Sequence, residues 1–536
     1  MTIRDTLRRP SLWVLVAVCA LEFFLFDWFG AHRHTAIYPR WNDQIQYLSE
    51  SYTGYEYARA HGFFAGLWQA LTNRSAQGTL HDVYAIIVFT LAGPSRSAAL
   101  AINMLALIAW QAALFAAVLR VRRSAPLALA CALLPLALAG PWRDVPGSAY
   151  DFRLDHMAMC SLGVTAALAL LTEGFRSRGA SLVFGVATGI TLLARFLTGT
   201  YFIVILLGLL AWTLSSEERQ RRTRHVLLAA LTAAVVAGPI LWLNFETARD
   251  YYWIGHYIGP ESAIRNSHMG LGRSLAFVGS QLLERHLGLF FTLFALGGAA
   301  CLALLRFGER QQLNRAPAII GAFFVLAPAL VLTLHQQKSE VVVGALAPGV
   351  VTLTTALWLL AARRATDKSL GGFAAVITVL GLGVFTRMQV PPAHTPAQRQ
   401  EFGQVNTIAD RIFTRGQAAH LPETRVAVDY ITDCLDAQVV RVICYERHRV
   451  WLPFNMTLPT GIAEPAEAEV FARLALSDFV FLTELAPAGG FPFDQKLAAL
   501  RPQLRAWCEA NLRPAERFTL FGRSMVLYQR REIPLP

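Results

Sequence analysis

Asp43 sits among Arg40, Gln44 and Tyr47 in the stretch YPRWNDQIQYLSESY, residues 38–52. A carboxylate in that company can accept a hydroxyl proton. Three further places carry matching chemistry. DFRLDH supplies Asp151, Arg153, Asp155 and His156; Arg195 ends an apolar run; His335 and Lys338 share the short HQQKSE stretch between two apolar runs. Arginine, lysine and histidine are the side chains that grip a phosphate. Together these groups suit a phosphate held by Arg195, His335 and Lys338, with an acid nearby to manage a hydroxyl proton. Each also has a structural reading: a helix cap for Asp43, an interfacial charge cluster for DFRLDH, and snorkelling to head groups for Arg195 and Lys338. The chain has no Walker loop, zinc signature, nucleophile elbow or D-x-D motif, so a divalent metal is not indicated.

Something apolar must position these groups. Of 536 residues, 54% are hydrophobic and only 16% charged, against roughly 25% charged in soluble domains. The mean hydropathy is +0.41. The net charge of +12 does not mark a nucleic-acid binder, because the basic residues cluster between apolar runs, as the orientation signals of membrane proteins do. Lysine is scarce, at Lys338, Lys368 and Lys496 alone. The N-terminal apolar run ends in Phe26, Asp27, Trp28 and Phe29 without a small-x-small cleavage site, and reads as an uncleaved first span.

Spans are expected at 11–29, 96–119, 126–142, 157–174, 180–196, 200–214, 226–244, 287–305, 316–334, 341–362 and 370–386, about eleven transmembrane helices of bilayer length. Arginines fill alternate loops: Arg8 and Arg9; Arg120, Arg122 and Arg123; Arg176 and Arg178; Arg219, Arg221, Arg222 and Arg224; Arg306, Arg310 and Arg315; Arg363 and Arg364. The positive-inside rule then places the N-terminus in the cytoplasm. Segment 30–95, loops 143–156 and 245–286, HQQKSE and everything after 387 fall together on the outer face. Within the first outer loop, FFAGLWQAL and VYAIIVFTLAG are too short to span and are expected as interfacial helices. Gly185 and Gly189 in GVATG have the spacing of close-packed membrane helices.

The expected division is a transmembrane catalytic domain, residues 1–386, and an extracytoplasmic α/β domain, residues 387–536. In the latter, 397–413 and 494–511 pattern as helices, and VAVDY, VVRVICYE, DFVFLTE and SMVLYQRR as strands. An oxidising compartment makes a Cys434–Cys444 disulfide an expectation, with Cys508 as competing partner. The cysteines within apolar runs read as packing residues.

Several motifs, taken in order, resemble the GT-C glycosyltransferases related to protein O-mannosyltransferases and the lipid A aminoarabinose transferase. WNDQIQY places an acid in a long first outer loop, and LAGPSRSAALAINMLALIAW leads into the second span. RLDHMAMCSLGVTAALALL has Arg-x-x-Asp before a span. GVATGITLLARF carries a basic residue, and HQQKSEVVVGALAPGVVTL is similar to the family's basic loop and proline-bearing helix. Where that family often has Asp-Glu in the first loop, this chain has Asp43-Gln44. The resemblance implies a bacterial inner-membrane, multi-pass, inverting transferase, with Asp43 as the base, Arg195, His335 and Lys338 holding the leaving phosphate, and Arg40, Gln44, Tyr47, Arg153 and Asp155 in the substrate pocket. Its donor is a polyprenyl-phosphate sugar, its acceptor a lipid, glycan or protein, and membrane lipids surround it. The rivals are a transporter or flippase for a lipid-linked glycan, and a non-catalytic polysaccharide-assembly subunit. Transporters place polar residues at the bilayer midplane, often within repeats, and neither feature is evident here.

Overall fold

Apolar runs separated by arginine-rich turns fold as helices, because a chain in lipid must satisfy its backbone hydrogen bonds internally. The computed structural model of the chain describes residues 10–35, 37–38, 43–143, 146–305, 315–389, 395–421, 424–428, 437–451, 466–484, 492–520 and 523–533. Among these, eight helices are long and apolar enough to cross a membrane: α1 Pro10–His34, α5 Arg96–Arg122, α7 Leu154–Leu171, α10 Arg219–Leu243, α11 Leu271–Leu304, α12 Ala316–Leu334, α13 Val342–Arg364 and α14 Asp367–Met388. The spans expected at 126–142, 180–196 and 200–214 are shorter apolar helices, α6 Ala125–Ala137, α8 Arg178–Ala194 and α9 Thr198–Leu214. Helix α11 begins well before the expected 287, because LGRSLAFVGS continues through a π-helical turn into the apolar run.

Three helices lie between α1 and α5: α2 Asp43–His61, α3 Phe63–Thr72 and α4 Leu80–Ala92. FFAGLWQAL is thus a helix, and its Phe64 and Trp68 project outward. Helix α4 differs from a free interfacial helix in that Ile86 and Phe89 are fully buried. Helices α8 and α10 meet along the GVATG face. A Cβ on Gly185 would lie 2.5 Å from the Ala229 carbonyl oxygen, and one on Gly189 would lie 2.7 Å from Val236. Only glycine permits that approach.

After α14 the chain forms α15 Pro396–Ala418, β1 Val426–Val428, α16 Ala437–His448, α17 Glu467–Ala475, β2 Phe479–Thr483, α18 Pro492–Asn511, β3 Leu512–Leu520 and β4 Arg523–Arg530. The sheet order is β1-β2-β4-β3, with β1 and β2 parallel and the other pairs antiparallel. VVRVICYE, expected as a strand, is instead part of α16. Its β-branched residues suit a strand, but Val439, Val440, Ile443 and Cys444 form one buried helical stripe. Strand β3, with Pro514 and Glu516 within it, had no strand-like alternation to reveal it. Cys434 lies outside the described residues, and the buried Cys444 thiol donates to the Ala409 carbonyl at 3.4 Å.

Candidate active site

Helix ends build the site. Asp43 lies in the first turn of α2 and Asp155 in the first turn of α7, and Arg195 is the residue that ends α8. Carboxylates at helix N-termini and a cation at a C-terminus each gain from the helix dipole. Arg195 is fixed by its neighbours. Phe196 N–H donates to the Gln77 carbonyl at 2.7 Å, and Thr79 N–H to the Leu193 carbonyl at 2.9 Å. The two backbones can run this close because residue 78 is glycine, where a Cβ would stand 2.4 Å from the Ala194 carbonyl oxygen. Tyr47 closes the loop from α2, its hydroxyl donating to Gln77 Oε1 at 2.8 Å.

The side chains converge on two arginines. Arg153 Nη2 is 2.6 Å from Asp43 Oδ2, and its Nε faces Asp155 at 3.6 Å and Asp151 at 3.8 Å. Arg195 Nη1 is 2.8 Å from Asp155 Oδ1. Asp155 is only 6% exposed and Arg195 13%, whereas Asp43 is 39% exposed. Asp43 is therefore the most accessible of the three carboxylates around Arg153. Asp151 is held from three sides: Gln44 Nε2 donates to it at 2.8 Å, Gly147 N–H at 2.5 Å, and Arg153 faces it. Burial pushes its carboxyl up to about 6, with Arg153, Gly147 and Gln44 pulling the other way. Burial alone would lower the Arg195 guanidinium, but the adjacent Asp155 carboxylate more than reverses this. Arg195 Nε is buried with no hydrogen-bond partner among the described residues.

Sequence reasoning missed the wall around Arg195. A π-helical turn, Asp250–Ile258, brings Tyr251 and Tyr252 within electrostatic reach of the guanidinium. The same turn carries His256, whose ring lies 5.1 Å from that of Tyr251 and whose Nδ1 is 3.4 Å from His335 Nε2. His335 thus joins the site through an aromatic relay, with no bond to the arginine pair among the described residues. Burial holds His256 down to about 4 and lowers His335 too. Lys338 is occupied: its Nζ donates to the carbonyls of Leu332 at 3.0 Å, Thr333 at 2.9 Å and His335 at 2.5 Å, capping the C-terminus of α12. Arg40 lies outside the described residues. An apolar cavity of about 360 Å³ shares α7 and α8 with the network and is lined by Val88, Leu105, Met157, Val164 and Ile190, among others. No cluster of three potential metal ligands occurs among the described residues.

No family model matches the chain, and no curated protein matches its sequence. Solved structures do. ArnT from Cupriavidus metallidurans bound to undecaprenyl phosphate aligns with a TM-score of 0.58 and 14% identity over 98% of this chain and 100% of that one. Its apo state gives 0.59 and 13%, over 98% and 99%. The arabinofuranosyltransferase AftD from Mycobacteria gives 0.50 and 12%, over 97% of this chain and 40% of that one. The chain is a multi-pass membrane protein with the GT-C glycosyltransferase fold.

Proposed function

We propose that this chain is a membrane glycosyltransferase. It moves a sugar from a polyprenyl-phosphate donor to a hydroxyl of a lipid, glycan or protein at the outer face of the inner membrane. The observation that carries the reading is the accessible Asp43 carboxylate, paired with Arg153 at 2.6 Å and one ion-pair relay away from the buried Arg195. The undecaprenyl phosphate bound to ArnT, a protein of the same fold, supports a lipid phosphate as the leaving group.

In the proposed step the acceptor oxygen attacks the anomeric carbon as the bond from that carbon to the phosphate oxygen breaks. The phosphate departs with the electron pair, the configuration inverts, and Asp43 takes the hydroxyl proton. Arg195 Nε donates to the phosphate, with His335 as a further contact from across the Asp250–Ile258 turn. Lys338 joins this set by leaving the α12 carbonyls. Gln44, Tyr47, Arg153 and Asp155 shape the sugar pocket. The apolar cavity between α4, α5, α7 and α8 takes part of the isoprenoid chain. Incubation of purified protein with a panel of polyprenyl-phosphate sugars, followed by mass spectrometry of released polyprenyl phosphate, tests the reading.

A further inference from the structure

Glu446, on α16, lies far from Asp43 in sequence but is bonded to the chain on both sides of it. Its carboxylate accepts from the hydroxyl of Tyr38, in the segment leading to α2, and from the hydroxyl of Tyr52, within α2, at 2.5 Å. Arg96 extends the connection. Its guanidinium lies 5.1 Å from the centre of the Tyr38 ring, and its Nε donates to Gln44 Oε1 at 2.9 Å. Gln44, next to Asp43, then donates to Asp151. Other bonds hold α16 to the same surface. The Tyr445 hydroxyl donates to Glu56 on α2, its ring lies 4.7 Å from that of Tyr52, and Arg449 Nη1 donates to the Pro94 carbonyl at 2.7 Å.

We infer that Glu446 is a positioning residue for Asp43, and that the segment after α14 thereby takes part in the reaction by fixing the start of α2. The inference rests on the reading of Asp43 as the base. Two hydroxyls converge on one carboxylate, so an apolar side chain at 446 removes that shared acceptor. An amide keeps one acceptor oxygen and turns donor hydrogens toward the other phenol. Either change frees the first turns of α2 to shift. Arg195 meets α2 only indirectly, through the Tyr47–Gln77 bond and the Asp43–Arg153–Asp155 pairs, so phosphate binding is predicted to persist while turnover falls.

The test uses full-length protein in detergent micelles, as wild type, Glu446→Gln and Glu446→Ala, with the exposed Glu509→Gln as control. The probes are undecaprenyl phosphate for binding and whichever polyprenyl-phosphate sugar supports transfer for turnover. Displacing a catalytic group by about 1 Å costs up to about a hundredfold in rate. Turnover is therefore expected to fall about ten- to hundredfold in the Glu446 variants, with undecaprenyl phosphate affinity within about twofold of wild type. Hydrogen exchange is expected to speed up over residues 43–52 and to stay unchanged in α7 and α8. Wild-type turnover in both Glu446 variants, or wild-type exchange over 43–52, overturns the inference, and Glu446→Gln decides it if Glu446→Ala does not fold. If wild-type protein transfers from no donor, the functional reading has failed, and the exchange measurement alone decides whether Glu446 orders α2.

Discussion

Arg153 faces Asp43 with one end of its guanidinium, at 2.6 Å, and two buried carboxylates, Asp151 and Asp155, with its Nε. This arrangement suits a base that must change charge during a reaction. When Asp43 takes a proton, Arg153 keeps two anionic partners, so no buried cation is left uncompensated. Uncompensated buried charge is the situation that costs most in a protein interior.

Arg195 and Lys338 are expected to behave differently towards the donor phosphate. Arg195 offers an unpartnered buried Nε, whereas Lys338 must give up three carbonyls to reach a ligand. Removing a charge-assisted hydrogen bond costs about 1.5–3 kcal/mol, so Arg195→Gln should weaken undecaprenyl phosphate binding about ten- to hundredfold. Lys338→Met should weaken it less. Titration calorimetry of the two variants ranks them, and the opposite ranking would make Lys338 the principal phosphate contact.

Asp151 predicts a pH signature. Its carboxyl titrates at about 6 in the folded chain, against 3.8 for an unperturbed aspartate. Because the folded value is raised, the stabilisation is complete below pH 3.8 and is lost as pH rises through about 6. Relative to Asp151→Asn, wild type should therefore lose roughly 2–3 kcal/mol of stability between about pH 4 and pH 6. Thermal unfolding of both proteins across that range measures it, and parallel curves would mean that Asp151 titrates alike in the folded and unfolded chain.

Topology is the next test. The alternating arginines predict that reporter fusions after Arg123, Arg222 and Arg364 report the cytoplasm, and fusions after Gln77, Ser267 and Pro396 the outside. A cytoplasmic signal from the Pro396 fusion would put α16 on the wrong side of the membrane from α2, against their direct contact through Glu446.

Much of this could be read from the sequence because membrane physics writes it there. Uninterrupted apolar runs marked eight helices of spanning length and three shorter ones among the described residues, and polar residues at their ends singled out Asp43, Arg153, Asp155 and Arg195, which the fold gathers into one network. What was hidden depends on partners remote in the chain. The role of Glu446 requires Tyr38 and Tyr52, and nothing local marks it. The scarcity of lysine made Lys338 look reserved for a ligand, but the carbonyls at the end of α12 lie within its own reach. Tyr251 and Tyr252 sat unremarked in a loop until a π-helical turn aimed them at Arg195. In VVRVICYE the β-branched residues argued for a strand, and packing on α2 and α15 selected a helix instead.

The central claim is that Asp43 is the base of a transfer from a lipid phosphate, and Asp43→Asn tests it most directly. The substitution keeps shape and most hydrogen bonding, and Arg153 retains Asp151 and Asp155, so folding and undecaprenyl phosphate binding should survive. Loss of a general base typically costs about 10²–10⁴-fold in rate. The measurement is single-turnover release of polyprenyl phosphate by purified Asp43→Asn protein beside wild type. The expected rate is lower by that factor at unchanged donor affinity. Release at the wild-type rate would contradict it, leaving Asp43 as the N-terminal anchor of α2 and moving the search for the base to Asp151 or Asp155.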